Sequence, residues 1–258
     1  MALCASALII STIIFHRVFG MPTPLALNLF GLAFALAGLS LLTGAFALLW
    51  IWRHGTRGPA NTLVGMTMAI LVLLWPLSLI PKVRNLPAIN DVTTDMASPP
   101  QFLAVARLRP PGANSATYPG PATAELQKAF YRNIQPLILA RPPQDAFDLA
   151  GLALRKLRLT TVAETPVGTD GRAWGVIEAY DRTLAFGFYD DVVIRVSPLG
   201  RGSRIDVRSA SRFGRHDLGA NAARVRHILN EIVARADASV GGKQSPANDR
   251  RTSSRRDR

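Results

Sequence analysis

Long apolar runs with short polar interruptions fill the first third of the chain, and no carboxylate breaks them. From Met1 to Asn90 there is no Asp or Glu, and the basic residues are Arg17, Arg53, Arg57, Lys82 and Arg84. Residues 24–52 contain an uncharged stretch longer than the ~20 residues that cross a bilayer core, which predicts a transmembrane helix. Residues 59–81 are also uncharged and of spanning length, with Pro76 expected to kink the last turns. Trp50, Trp52 and Trp75 fall near the predicted ends, where amphipathic indoles favour the headgroup layer. The opening run from Ala2 to Phe15 is shorter, and it lacks the basic start and small-residue cleavage site of a signal peptide. It reads as a first span over about 2–21 whose end lets Arg17 snorkel, or as a span that starts upstream of Met1. Residues 1–81 are therefore expected to hold two or three transmembrane helices. Gly31, Gly38 and Gly44 line a helix contact or simply reflect how common glycine is in membrane helices.

Periodicity then disappears. Eight prolines lie between Pro81 and Pro121, a density that opposes helix and central strand alike, so residues 82–121 are expected to be an extended, partly ordered connector. The first acids of the chain, in Ile89–Asp95, suit a turn capped by Asp and Thr side chains.

Between 122 and 237 the pattern becomes that of an α+β domain. Helices are expected over Thr123–Arg132 and Asp145–Arg158; in the second, Phe147, Ala150, Leu154 and Leu157 share a face and Asp145 is placed to cap the start. Strands are expected over Leu159–Glu164 and Ala173–Tyr180. In Thr183–Ser197 the even positions are Leu184, Phe186, Phe188, Asp190, Val192, Ile194 and Val196. Strict alternation places all seven on one face; a bulge near Gly187 or at Asp190–Asp191 is the alternative.

The turn at Pro198–Gly202 leads into a strand over Arg204–Phe213. Matching apolar faces pairs Val196 with Ile205 and Ile194 with Val207, since a slip of one residue would set apolar against charged positions. Arg195 then lies opposite Asp206, and Asp191 is a diagonal neighbour of Arg208 and Arg212. A last helix over Leu218–Ala236 buries Leu218, Ala222, Val225, Leu229, Ile232 and Ala236, with Asp217 as its N-cap. The expected fold is thus N-terminal transmembrane helices followed by a small antiparallel sheet with helices packed on one face. Residues 238–258, rich in Gly, Ser and Arg, read as a disordered basic tail.

Charge changes this picture little. The net charge of +13 divides into +5 for residues 1–90, +4 for 91–237 and +4 for 238–258, so most of the surplus lies beside apolar spans or in the tail. A nucleic-acid partner is disfavoured, because a basic stripe on the domain is not evident. Cys4 is the single cysteine, which excludes an internal disulfide or a cysteine metal site.

Candidate chemistry concentrates at one end of the last hairpin and the following helix. Asp190, Asp191, Arg208, Ser209, Ser211, Arg212, Asp217, Asn221 and Arg224 form a polar group that either holds the fold together or binds a small or anionic ligand of the cell envelope. A hydrolase using Asp190 and Asp191 is the alternative, although neighbours on a strand point to opposite faces. Ser209 or Ser211 with His216 and Asp217 has triad composition but no nucleophile elbow. His216 and His227 lie outside short metal-ligand spacings, so neither metal nor cofactor is expected. The bilayer is the expected partner, with an anionic small molecule or an envelope protein beside it.

Phe188–Val192 and Arg208–Arg224 resemble the two signature stretches of the domain-of-unknown-function family numbered 1499. Pro87–Pro100, and Tyr131–Pro136 ahead of Arg141-Pro142-Pro143, fit its membrane-anchored bacterial branch. The resemblance covers roughly residues 85–236. It implies a bacterial inner-membrane protein with its globular domain on the periplasmic side, and it implies no activity.

Overall fold

Uninterrupted apolar sequence gives three helices packed side by side in the computed structural model, which describes residues 1–241. They are α1 (Ala2–Val18), α2 (Thr23–His54) and α3 (Pro59–Ser78), followed by the short α4 (Ile80–Asn85). Proline in the first turn starts α2 and α3, where the missing N–H costs nothing, and Gly55 at φ 65° ends α2. Two helical stretches, Thr23–His54 and Pro59–Asn85, are long and apolar enough to cross a membrane; α1 is a shorter apolar helix. Of the three glycines in α2, only Gly44 is closely approached, by Met66 of α3. The α1–α2 turn and the end of α3 lie at the same end of the bundle, against the second half of the chain.

That half is a six-stranded antiparallel sheet. Its strands are β1 (Asp91–Thr93), β2 (Leu137–Leu139), β3 (Thr160–Thr165), β4 (Gly175–Arg182), β5 (Tyr189–Leu199) and β6 (Gly202–Ser211), in the order β1-β6-β5-β4-β3, with β2 also on β6. β1 and β2 share one edge of β6: β2 pairs at Ser203–Ile205 and β1 at Arg208–Ala210, while Thr94 bonds Val207 between them. The β5–β6 register is the one that apolar matching predicts, Val196 on Ile205, Ile194 on Val207 and Arg195 on Asp206. Pairing runs unbroken through Asp190 and Asp191, so neither is bulged.

Helices α6 (Pro143–Lys156) and α7 (Ala220–Gly241) cover one face of the sheet. Alternation delivers Ile177, Val192, Ile194, Ile205 and Val207 to that side, against Phe147 and Leu154 of α6 and Val225 and Ile232 of α7. Helix α5 (Pro121–Phe130) precedes β2.

Four expectations are corrected. The proline-rich segment supplies β1, and its residues 95–118 lie across the other face of the sheet as a strap. Its 3-10 turn Val105–Leu108 buries Val105, and nearby Phe102 packs with it on Val193 and Ala210. The run Thr183–Phe188 is a hairpin tip, because Gly187 turns the chain at φ 78°, so Leu184 is exposed and Phe186 packs on the helices instead of in the sheet core. Asp145 lies in the first turn of α6, and Pro142 holds the N-cap position. Helix α7 continues through Gly241, past the expected start of the tail; residues 242–258 of that tail lie outside the described residues.

Candidate functional site

The nine candidate residues fall on the two faces of the sheet, as a period of two requires. Asp190, Ser209 and Ser211 face α7, whose first turns and cap supply Asp217, Asn221 and Arg224, whereas Asp191, Arg208 and Arg212 lie under the strap.

Under α7, Arg224 is the hub. Its guanidinium donates to Asp190 at 2.6 Å, Asp181 at 2.9 Å, Ser209 Oγ at 3.1 Å and Asn221 Oδ1 at 2.9 Å. Ser209 Oγ donates to Asn221 Oδ1, and Asn221 Nδ2 donates to Ser211 Oγ and to the Asn90 carbonyl. Asp217 accepts from the backbone N–H groups of Gly219 and Asn221, which makes it the cap of α7.

Burial pushes the Asp217 carboxyl above its usual range, with the Asp190 charge adding to the effect against these hydrogen bonds. A carboxyl raised in the fold keeps its proton to higher pH than in the unfolded chain, so stability falls as pH rises from about 3.8 through the raised value. Asp217→Asn, which keeps a cap acceptor, is expected to remove that slope. Thermal unfolding of the full chain in detergent at a series of pH values, wild type minus variant, would show the decline; parallel curves would refute it.

Under the strap, each arginine is held by a buried acid. Arg208, fully buried, takes both oxygens of Asp91 at 2.7 and 3.0 Å and donates to the Pro100 and Ala116 carbonyls. Its guanidinium also lies over the rings of Phe102 and Tyr118, and burial next to Asp91 pushes the Tyr118 hydroxyl up to about 12. Arg208 therefore pairs with Asp91 and not with Asp191. Asp191, also without exposure, receives Arg212 at 2.7 Å and Arg109 at 2.8 Å. Glu178 accepts three backbone N–H groups, from Leu103, Ala104 and Val105, at the start of the 3-10 turn.

Sequence reading missed Asp91, Arg109, Glu178 and Asp181 as members of these networks. Their partners are tens of residues away, and no local spacing signals that.

The chemistry of the two networks is constrained. Asp190 and Asp191 point to opposite faces and each is held by guanidinium, so they do not share a bond to be cleaved. His216 Nδ1 accepts from the Leu218 N–H, and neither Ser209 nor Ser211 reaches it. Among the described residues no cluster of three His, Cys, Asp or Glu is placed to hold a metal.

Open space lies beside the networks. A cavity of about 730 Å³ is bounded by the α1–α2 turn (His16 to Pro24), by Leu108 and Pro110 of the strap, and by Arg182, Tyr189, Arg212 and Phe213 of the sheet domain. Arg17 donates to the Thr183 and Leu184 carbonyls, and Arg182 donates to the Arg17 carbonyl at 2.7 Å. These bonds lash the hairpin tip to α1. Neither arginine has a carboxylate partner among the described residues, whereas Arg109, Arg208, Arg212 and Arg224 all do. The Tyr189 ring lies between the guanidiniums of Arg182, at 5.1 Å, and Arg212, at 5.2 Å. Arg17 was readable as a snorkelling residue; its juxtaposition with Arg182 was not.

The profile of the family described as "Protein of unknown function (DUF1499)" matches residues 91–232, more than half of the chain. The matched segment begins at β1 and ends within α7. Among the curated proteins, none matches. Among solved structures, the crystal structure of Ara h 8.0201 is similar at 14% identity, over 39% of this chain and 95% of that one, with a TM-score of 0.19. Agreement that weak carries no argument.

Proposed function

Because the chain belongs to the DUF1499 family of proteins of unknown function, whose membership assigns no reaction, we propose from its own geometry that it is a binding module for a small anionic ligand. Its setting in this reading is a bacterial inner membrane crossed more than once, with the sheet domain on the periplasmic side and ligands or protein partners drawn from the envelope. A carboxyl-terminal reporter that is active only outside the cytoplasm tests that placement.

The observation that carries the reading is the pair Arg17 and Arg182. They line a large cavity and have no carboxylate partner among the described residues, whereas Arg109, Arg208, Arg212 and Arg224, the arginines of the two networks, each have one. A cation pair in a partly desolvated cleft attracts an anion more strongly than it would in water. The nine polar residues read from sequence then act as the frame: Arg212 forms a wall of the cavity and Asp191 fixes it.

Phosphate and sn-glycerol 3-phosphate are the probes, added to the full chain in detergent. At ten times its Kd, a ligand adds about 1.4 kcal/mol, which for a chain of this size raises Tm by roughly 3–6 °C. Arg182→Gln is expected to abolish the rise. A Tm that stays level at tens of millimolar of either probe would refute the reading.

A further inference from the structure

Two further spaces adjoin the cationic cavity on the side of the helix bundle. A second space, of about 360 Å³, shares Thr23, Tyr189 and Phe213 with it, and also reaches Leu27, Trp75, Phe186 and Phe188. A third, of about 380 Å³, shares Trp75 and Phe186 with the second and runs between α1, α2 and α3 along Ile9, Ile13, Phe34, Met68 and Val72. The lining changes from arginine, through a middle space where aromatic rings stand beside Asp190, His216 and Asp217, to a predominantly aliphatic end that includes Phe34 and Ser6. Phe186 stands at the junction: its ring lies 4.6 Å from Trp75, 5.0 Å from Phe30 and 5.7 Å from Phe188, and its carbonyl is bonded to His16. The aliphatic end opens outward, since Ile10 and Leu71 on its walls are 59% and 63% exposed.

A free inorganic anion has no use for the aliphatic end, and a hydrocarbon has none for the arginines. We propose that the three spaces form one site for an anionic phospholipid taken directly from the surrounding bilayer. The phosphate head lies between Arg17 and Arg182, the glycerol region passes Tyr189 and Phe186, and an acyl chain lies between α1 and α3. This inference rests on the anion-binding reading above and adds the class of its ligand. A cleft with an apolar body and a few convergent polar groups is the usual build of a small-ligand site, and here its two ends match the two ends of a lipid.

Trp75, placed where the aromatic and aliphatic spaces meet, is a built-in reporter. The full chain carrying Trp50→Phe, Trp52→Phe and Trp174→Phe would be put in phosphatidylcholine nanodiscs with a fixed fraction of either phosphatidylglycerol or phosphatidylcholine brominated on its acyl chains. Preferential quenching by the brominated phosphatidylglycerol is expected, by roughly fivefold for each cation engaged. Arg17→Gln with Arg182→Gln should bring the preference close to one. Val72→Phe, which fills the aliphatic space and leaves the arginines in place, should reduce it while the Tm rise with glycerol phosphate persists.

Equal quenching by both lipids, with the glycerol phosphate response intact, would overturn the lipid assignment and leave the anion reading standing. Loss of both responses would overturn both. A phosphatidylglycerol preference that survived the arginine substitutions and Val72→Phe would also overturn the assignment, because it would place the selectivity elsewhere.

Discussion

Asp191→Ala is expected to lower the unfolding free energy by about 3–5 kcal/mol, because it strands two guanidiniums in the interior. Asp191 is fully buried, and the side chains of its partners Arg109 and Arg212 are only 6% and 7% exposed. Removing one member of a buried ion pair costs much more than the pair contributes, since the remaining guanidiniums keep only backbone carbonyls, Asn114 and Ser115 for Arg109 and Leu108 for Arg212, and no counter-charge. Denaturant unfolding of the full chain in detergent measures the loss. The triple variant Asp191→Leu, Arg109→Met, Arg212→Met should regain most of it, because no charge of this network is left buried. A loss below about 1 kcal/mol, the range of a solvated pair, would show that water reaches this network.

Arg208→Met should cost a similar ~3–5 kcal/mol, with a different pattern. Arg208 joins β6 to β1 through Asp91 and to the strap through the Pro100 and Ala116 carbonyls, so the substitution orphans a carboxylate and two carbonyls at once. The strap should loosen before the helix-covered core does, which hydrogen exchange would report as faster exchange at Thr94 N–H, bonded to Val207. Arg208→Lys keeps the charge but loses the two-pronged contact, and a loss of about 2 kcal/mol is expected from the charged hydrogen bonds it forfeits. Uniform acceleration across the domain, with no lead at β1, would contradict this role for Arg208.

The parts that were legible in the sequence are those governed by local period. The β5–β6 register follows from Val196, Ile194, Ile205 and Val207 because a sheet buried on one side tolerates no slip. Helices α6 and α7 follow from their apolar stripes, though Ile228 is fully buried and Leu229 only partly so, a drift of one position.

The strap was illegible for a physical reason. Its hold on the sheet comes from Asp91, Arg109 and from Glu178 receiving its N–H groups, all contacts across more than 70 positions of chain with no repeating spacing. The same cause misplaced Arg208. As a diagonal neighbour of Asp191 it looked paired across the hairpin, but β1 brings Asp91 to its other side with both oxygens aligned. Of the proposed site, Tyr189, Arg212 and Arg17 were in view singly. What gathers them is the hairpin tip folding back on α1, and an isolated Gly187 in an alternating run is a two-way signal, bulge or turn.

The shared edge of β6 has a consequence for how copies of the protein can associate. One side of that strand is occupied by β1 and β2, each only three residues long, and strands so short give a neighbouring molecule little to extend. Among the described residues the one long rim is β3, whose pairing with β4 is irregular between Thr161 and Ala163. A strand contact between two molecules would therefore have to use β3 of both. Such a contact is related by a two-fold axis and uses up the rim of each partner, so it closes at a dimer where a sheet with two long rims would propagate a fibre.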